Sequence, residues 1–170
     1  MIATLERASV SSPIGTIEVT GSSSAVHSVR FLDEEAAIDS VDVMTLSPPL
    51  RSFIEQLHEY FVGEREAFDA IPLALDAGDF DVSVWRGLLD LQSGQRMTYG
   101  GLAAKIGRRG AARAVGGAVG RNPFAVIVPC HRIVPSSAVE SDASTWGKYA
   151  SGAWRKKWLL EHETRHLRFA

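Results

Sequence analysis

Residues 98–123, TYGGLAAKIGRRGAARAVGGAVGRNP, limit the fold more than any other stretch of the chain. Thr98 suits the N-cap of a short helix over YGGLAAKIG, because its hydroxyl can accept a free N–H of the first turn, and Gly107 closes that helix. A basic turn, Arg108 to Gly110, leads into a second helical run, AARAVGGAVG, which the pair Asn122-Pro123 prevents from continuing. Two short helices joined by a tight turn predict a helix-turn-helix unit. Gly116 and Gly117 stand inside the second helix, where each costs about 1 kcal/mol relative to Ala. That cost predicts a close approach to bare backbone, either by a neighbouring helix or, given Arg108, Arg109, Arg113 and Arg121, by a DNA backbone lying across small residues.

The charge distribution favours the second of these. Residues 1–85 carry 4 Lys and Arg against 15 Asp and Glu, a net of −11, whereas residues 86–170 carry 14 against 5, a net of +9, within an overall charge of −2. A basic half of that strength attracts polyanions; the acidic half does not. The pattern of apolar residues changes along the chain too. From Ile2 to Leu32 apolar and polar residues alternate around the turn signals SSPIG and GSSS, which predicts a small antiparallel sheet. Phe53, Ile54, Leu57, Tyr60 and Phe61 follow at helical spacing, with Gly63 as a stop, and IPLAL reads as one more strand. Val82, Trp85, Leu88 and Leu89 form an apolar helical stripe that ends by Gly94. The expectation is an α+β protein in two parts: an acidic N-terminal domain, residues 1–78, of antiparallel sheet and helix, and a basic, mostly helical C-terminal domain, residues 79–170, built on a helix-turn-helix. His27 and His58 stand alone and read as ordinary surface or satisfied histidines.

Cys130 is the only cysteine. One thiol cannot form an intramolecular disulfide or a multi-thiolate zinc site, so a reducing compartment is expected. Glu6 and Arg7 occupy the place of a signal peptide's apolar core, and no apolar run approaches the length of a membrane span. A soluble, cytoplasmic protein is expected. The thiol lies in IVPCHRIV, beside His131 and within a β-branched run. A lone cysteine is most often an inert, buried small hydrophobe, so its position alone does not make it reactive. Neighbouring residues of an extended strand point to opposite faces, and a direct Cys130–His131 contact is therefore not assured.

Taken together, TYGGLAAKIG, AARAVGGAVGRNP, VPCHRIV, KYASGAWRKKWLLEHE and VWRGLL resemble the motifs of the O6-alkylguanine-DNA alkyltransferases, which repair DNA by direct reversal. The likeness is close over about residues 80–165, where it implies a winged helix-turn-helix-like domain, and general over the first half, where the family fold is ribonuclease-H-like. It implies a methylated-DNA–protein-cysteine methyltransferase: an irreversible, single-turnover transfer of an alkyl group from O6 of guanine, and also from O4 of thymine, to Cys130 after base flipping. His131 is implied to deprotonate the thiol through a water, with Glu163 orienting His131 and Asn122 bracing the turn. Arg113 is implied to fill the gap left by the flipped nucleotide, and Tyr99 to turn the target phosphate and contact the guanine. Thr98, Gly100, Arg108, Ala112, Gly116, Ile133, Ser136, Tyr149 and Ala150 complete the implied substrate and DNA contacts. The implied partner is double-stranded DNA containing O6-alkylguanine, entered from the minor groove by a monomer able to cluster on DNA. No cofactor and no metal are implied, since the structural zinc of some members needs a second cysteine.

Two departures stand out. The spacing from Cys130 to Tyr149 is several residues longer than in the family, and the expected Tyr-x-Gly-Gly is Tyr149-Ala150-Ser151-Gly152. The segment between, Pro135 to Trp146, is expected to form a surface loop at the rim of the site, with Trp146 covering apolar adducts. Other functions fit less of the sequence. A non-catalytic lesion binder of this fold replaces the thiol, typically with Trp. A Cys-His-Asn acyl hydrolase would turn over, whereas a thioether lacks a good leaving group. A winged-helix regulator leaves the Pro-Cys-His-Arg turn unexplained.

Overall fold

The computed structural model describes residues 4–32, 41–138 and 146–166, which fall into two compact units. One consists of Met1–Leu75 with Pro123–Ala125, the other of Asp76–Asn122 with Val126–Ala170.

The first unit opens with β1 (Glu6–Ser12), β2 (Gly15–Gly21) and β3 (Val26–Phe31), an antiparallel sheet in the order β1-β2-β3. Alternation in the sequence decides its two faces: Ala8, Ile17, Val19 and Val29 are buried. Opposite them, Glu18 is covered by Arg30 at 2.6 Å and Arg7 at 3.4 Å from the flanking strands. Helix α1 (Pro48–Phe61) packs on the sheet and buries Leu50, Phe53, Ile54, Leu57, Tyr60 and Phe61, the stripe legible in the sequence. Burying each such side chain contributes on the order of 1.5–3 kcal/mol. The expected strand IPLAL shrinks to a single bridge from Leu73 to Val26. Pro72 has no N–H to donate to a ladder, and only its carbonyl, which accepts from Val26, takes part. The segment Pro123–Ala125 joins this unit through hydrogen bonds to both main-chain groups of Val29.

The second unit contains α2 (Asp79–Leu89), β4 (Met97–Thr98), α3 (Tyr99–Lys105), α4 (Ala112–Gly120), β5 (Ile133–Val134) and α5 (Ala153–Arg165). β4 and β5 pair in parallel. The stripe of α2 differs from expectation: Val84, Trp85, Gly87 and Leu88 are buried, while Leu89 is exposed. Gly87 explains the shift. A Cβ there would lie 2.8 Å from Ile106 and 3.0 Å from Leu102, so α2 meets α3 through this glycine.

The helix pair forms as its sequence predicts. Thr98 Oγ1 accepts the Gly101 N–H at 2.9 Å, and Gly107 and Gly110 bracket the turn at positive φ, +72° and +85°. Trp85 Nε1 donates to the Ala118 carbonyl at 2.9 Å and fixes α2 against α4.

Candidate active site

Residues Cys130–Arg132 form a 3-10 turn, not the extended strand expected from the β-branched run around them. Pro129 ends that run. The Cys130 N–H turns back to Val128 at 2.8 Å, and the Arg132 N–H bonds the Pro129 carbonyl at 3.0 Å. Four residues upstream, Val126 has φ +70°, a conformation that costs a β-branched residue about 1–3 kcal/mol. Asn122 Nδ2 donates to the Val128 carbonyl at 2.9 Å, tying the end of α4 to the turn.

The turn buries three titratable side chains, Cys130, His131 and Arg132. His131 Nε2 lies 2.7 Å from Glu163 Oε1, both fully buried. Arg132 meets the same carboxylate through Nε, at 3.0 Å from Oε2, and Nη2, at 2.8 Å from Oε1, and donates through Nη1 to the Leu91 carbonyl. The Gly94 N–H adds a further donor to Glu163 at 3.2 Å. Burial opposes the Glu163 charge, but His131 and Arg132 outweigh it and hold this carboxyl far below its usual range. Burial also pushes the His131 pKa down, against the pull of Glu163. A neutral imidazole that donates Nε2–H to a carboxylate leaves Nδ1 as an acceptor. That Nδ1 is buried with no hydrogen-bond partner among the described residues. The group is therefore an oriented base with an unused lone pair.

Around the sulfur, burial raises the Cys130 thiol above its ordinary pKa, while Asn122, the positive charge of Lys156 and Tyr149 pull it down. The buried Tyr149 hydroxyl has no regular hydrogen bond among the described residues; burial first and the neighbouring Cys130 second raise its pKa well above the usual value. Tyr99 is shifted upward by the same two causes in the same order. Thus Cys130, His131, Glu163, Asn122, Tyr99 and Tyr149 gather in one place.

The remaining sequence candidates divide in two. Ile133 is buried in β5, Thr98 caps α3, and Ala112 begins α4. Gly100, Arg108, Arg113, Ser136 and Ala150 are exposed. A Cβ at Gly116 would meet only the Tyr99 ring, at 3.6 Å, and one at Gly117 would meet the guanidinium of Arg121, so neither glycine is required by helix packing. Arg121 itself is held by Asp81 through two hydrogen bonds of 2.8 Å, which corrects its grouping with the arginines open to DNA. Trp146 is corrected as well. It is 7% exposed among Val134, Ala138 and Leu160, with Arg96 4.8 Å over its ring, because packing in the core exceeds what a rim position offers an indole. Residues 139–145 of the lengthened segment lie outside the described residues.

Sequence reasoning missed Lys156. Its Nζ is buried, donates to the Ile133 carbonyl at 2.6 Å and reaches the Lys148 carbonyl at 3.4 Å, joining the strand after Cys130 to the segment before Tyr149. Burial brings its pKa down to about 8, and the adjacent Cys130 opposes that shift. The signal was the helical spacing Lys156, Leu159, Leu160, Glu163, which puts the lysine on the buried face with the glutamate. Among the described residues no three His, Cys, Asp or Glu side chains gather into a metal-binding group, and no helix is long and apolar enough to cross a membrane.

Two family models match the chain: "6-O-methylguanine DNA methyltransferase, ribonuclease-like domain" over residues 5–75 and "6-O-methylguanine DNA methyltransferase, DNA binding domain" over residues 79–165. A methylated-DNA–protein-cysteine methyltransferase of Mycolicibacterium paratuberculosis is 36% identical over 162 residues, 95% of this chain and 94% of its own length. A protein of the same name from Shigella flexneri is 44% identical over 109 residues, 64% of this chain and 60% of its own length. Among solved structures, the Mycobacterium tuberculosis O6-methylguanine methyltransferase superposes with a TM-score of 0.80 at 33% identity, covering 98% of this chain and 97% of that one. A Mycobacterium tuberculosis structure in complex with DNA gives 0.78 at 36% identity, covering 94% and 93%.

Proposed function

The chain belongs to the 6-O-methylguanine DNA methyltransferase family, and from that premise we propose that it repairs DNA by moving an alkyl group from guanine O6 to Cys130, once per molecule. The observation that carries this reading is the buried thiol beside a neutral, oriented imidazole whose Nδ1 lone pair is unused. Thiolate sulfur is soft and strongly nucleophilic toward saturated carbon, but only after it loses its proton. His131 takes that proton through one water, Glu163 fixes the imidazole tautomer, and Asn122 positions the turn. Lys156, Asn122 and the Tyr149 hydroxyl lower the cost of the sulfur's negative charge. The S–C bond forms as the C–O6 bond breaks, its electron pair stays on guanine, and over the whole reaction the thiol proton ends on the departing base.

A buried sulfur cannot reach O6 of a stacked, paired guanine, so the base must be flipped out. Exposed Arg113 on α4 fills the vacated stack, and Tyr99, beside both Cys130 and α4, meets the target nucleotide. The helix pair enters the minor groove, where little base sequence is read, which suits a protein that must act at any lesion. O4 of alkylated thymine is attacked by the same route. The protein works in the reducing cytoplasm as a monomer able to cluster on DNA, with no cofactor. The acidic unit serves as scaffold and the basic one as DNA-binding and acceptor domain.

Intact mass after mixing with duplex containing O6-methylguanine tests the reading. The expected gain is about 14 Da per protein on Cys130, with no second turnover, because a thioether does not regenerate the thiol. Cys130→Ser should abolish the gain and leave DNA binding in place. Repeated turnover by one protein molecule, or methylation of Cys130→Ser, contradicts it.

A further inference from the structure

The chain between Cys130 and Tyr149 is several residues longer than in the family, yet it still returns Tyr149 to the sulfur. Its return is fastened at two points. Trp146 is the first: it is 7% exposed among Val134 of β5, Ala138 and Leu160 of α5, with the Arg96 guanidinium 4.8 Å over its ring. The next residue, Gly147, has φ +79°, and a Cβ on it would fall 2.8 Å from Pro135, so the returning chain is pressed against the chain that leaves β5. Lys148 makes the second fastening. Its carbonyl lies 3.4 Å from Lys156 Nζ, and the same ammonium donates to the Ile133 carbonyl at 2.6 Å. Lys156 and Leu160 are one turn apart on α5, which puts both fastenings on one face of that helix. Tyr149 follows, its buried hydroxyl beside Cys130. Among residues 146–150 only Trp146 is buried as a whole, so the apolar grip on this stretch comes from a single side chain.

We propose that Trp146 is a positioning residue for alkyl transfer: seated against β5 and α5, it sets where the returning chain emerges and so keeps the Tyr149 hydroxyl against the Cys130 sulfur. This rests on the alkyl-transfer reading above. Trp146 acts through the chain, three residues ahead of the group it places. Distance does not make that weak, since a displacement of about 1 Å at a reacting centre can cost on the order of 10²-fold in rate. The indole N–H has no hydrogen-bond partner among the described residues, so the anchor works through ring area and shape, most of which phenylalanine also supplies.

The test follows thioether formation by intact mass on duplex carrying O6-methylguanine, for the parent, Trp146→Phe, Trp146→Ala, Tyr149→Phe and the double variant Trp146→Ala with Tyr149→Phe. Trp146→Ala should lower the maximal rate about tenfold and leave the DNA concentration at half-maximal rate within about twofold, because α3 and α4 are untouched. Trp146→Phe should recover most of that loss. In the Tyr149→Phe background, which has no hydroxyl left to position, Trp146→Ala should cost no more than about twofold further. A merely structural role moves the melting temperature and gives the same loss of rate in both backgrounds. That result, or a Trp146→Ala rate within about twofold of the parent's, overturns the role of Trp146 and leaves the function intact. If Trp146→Ala does not fold, Trp146→Leu enters the same cycle and is judged by the same outcomes. A parent that forms no thioether at Cys130 overturns the function and this inference with it.

Discussion

At the Cys130 turn, His131, Arg132 and Glu163 are buried and committed to one another, whereas on α4 and in the turn before it the charges of Arg113, Arg108 and Arg109 stand in solvent. Both regions are rich in cations, yet they use them differently. Inside the turn, charge is taken out of water and must be compensated at once, because an unpaired buried ion costs several kcal/mol. Glu163 is compensated fully, by His131, both forks of Arg132 and the Gly94 N–H. On the helix pair, charge gains from being uncompensated, since a cation without a partner is one a phosphate can neutralise. On the function proposed above, the same fold keeps rigid chemistry and adjustable binding apart by burial.

The largest effect should come from breaking the buried side of this comparison. Glu163→Gln leaves Arg132 buried without its countercharge and removes what fixes the His131 tautomer. Loss of one partner from such a pair costs about 3–5 kcal/mol, read as a lowered melting temperature. Alkyl transfer should fall by roughly 10²–10⁴, the usual contribution of a positioned acid or base. The pH profile gives a second reading. His131 and Glu163 both have folded pKa values below their ordinary ones, so the unfolded chain binds more protons and stability must fall on acidification. The decline begins below about pH 6.5 from His131 and steepens below about 4.5 from Glu163. Glu163→Gln should lose the steep lower limb. A variant as stable as the parent across this range contradicts the description of Glu163 as the centre of the turn.

The comparison also explains what the sequence could disclose. Helices α3 and α4 were legible because their boundaries are local: Thr98, Gly107 and Asn122-Pro123 act through bonds a few residues away. The reactive constellation was legible only through resemblance to a family, since Cys130 and Glu163 are 33 positions apart and no periodicity joins them. The 3-10 turn at Cys130 was not, because β-branched neighbours argue for a strand and only Pro129 hints otherwise. Leu89 and Trp146 were misjudged for a shared reason: which apolar side chain is covered depends on contacts between elements, as at Gly87 and Leu160, that composition does not carry. Lys156 was overlooked because a lysine inside RKKW reads as solvated until helical phase is applied.

A smaller effect should separate two arginines on the exposed side. Arg113 has no ion pair among the described residues, while Arg121 is clasped by Asp81. If Arg113 supports the flipped base, Arg113→Ala should slow repair of duplex about 10- to 100-fold, matching the few kcal/mol of unstacking that it offsets. Reaction with free O6-alkylguanine, which requires no flipping, should stay within about twofold. Arg121→Ala should leave both rates and the salt dependence of DNA binding near the parent's, because its charge is already paired with Asp81. Equal losses for the two variants on duplex would erase the distinction between a committed and an open cation.

The smallest effect is the sharpest, because it should set stability against binding at one position. Gly116 lies inside α4, where glycine costs about 0.5–1 kcal/mol relative to Ala. A Cβ there would meet nothing tighter than the Tyr99 ring at 3.6 Å, an ordinary contact. Packing therefore gives no reason for the glycine, in contrast to Gly87, where a Cβ would collide with Ile106 and Leu102. What remains is the outside of the helix. If the DNA backbone runs across Ala112 and Gly116, a methyl group pushes it outward and lengthens its contacts with the neighbouring cations. Gly116→Ala should then raise the melting temperature, by an amount equivalent to about 0.5–1 kcal/mol, while weakening binding to undamaged duplex several-fold. Reaction of Cys130 with the free alkylated base should report whether Tyr99 has moved, and it should not change. A variant that is stabilised and binds DNA as well as the parent would show that no backbone passes over this face, and the DNA path across α4 would have to be redrawn.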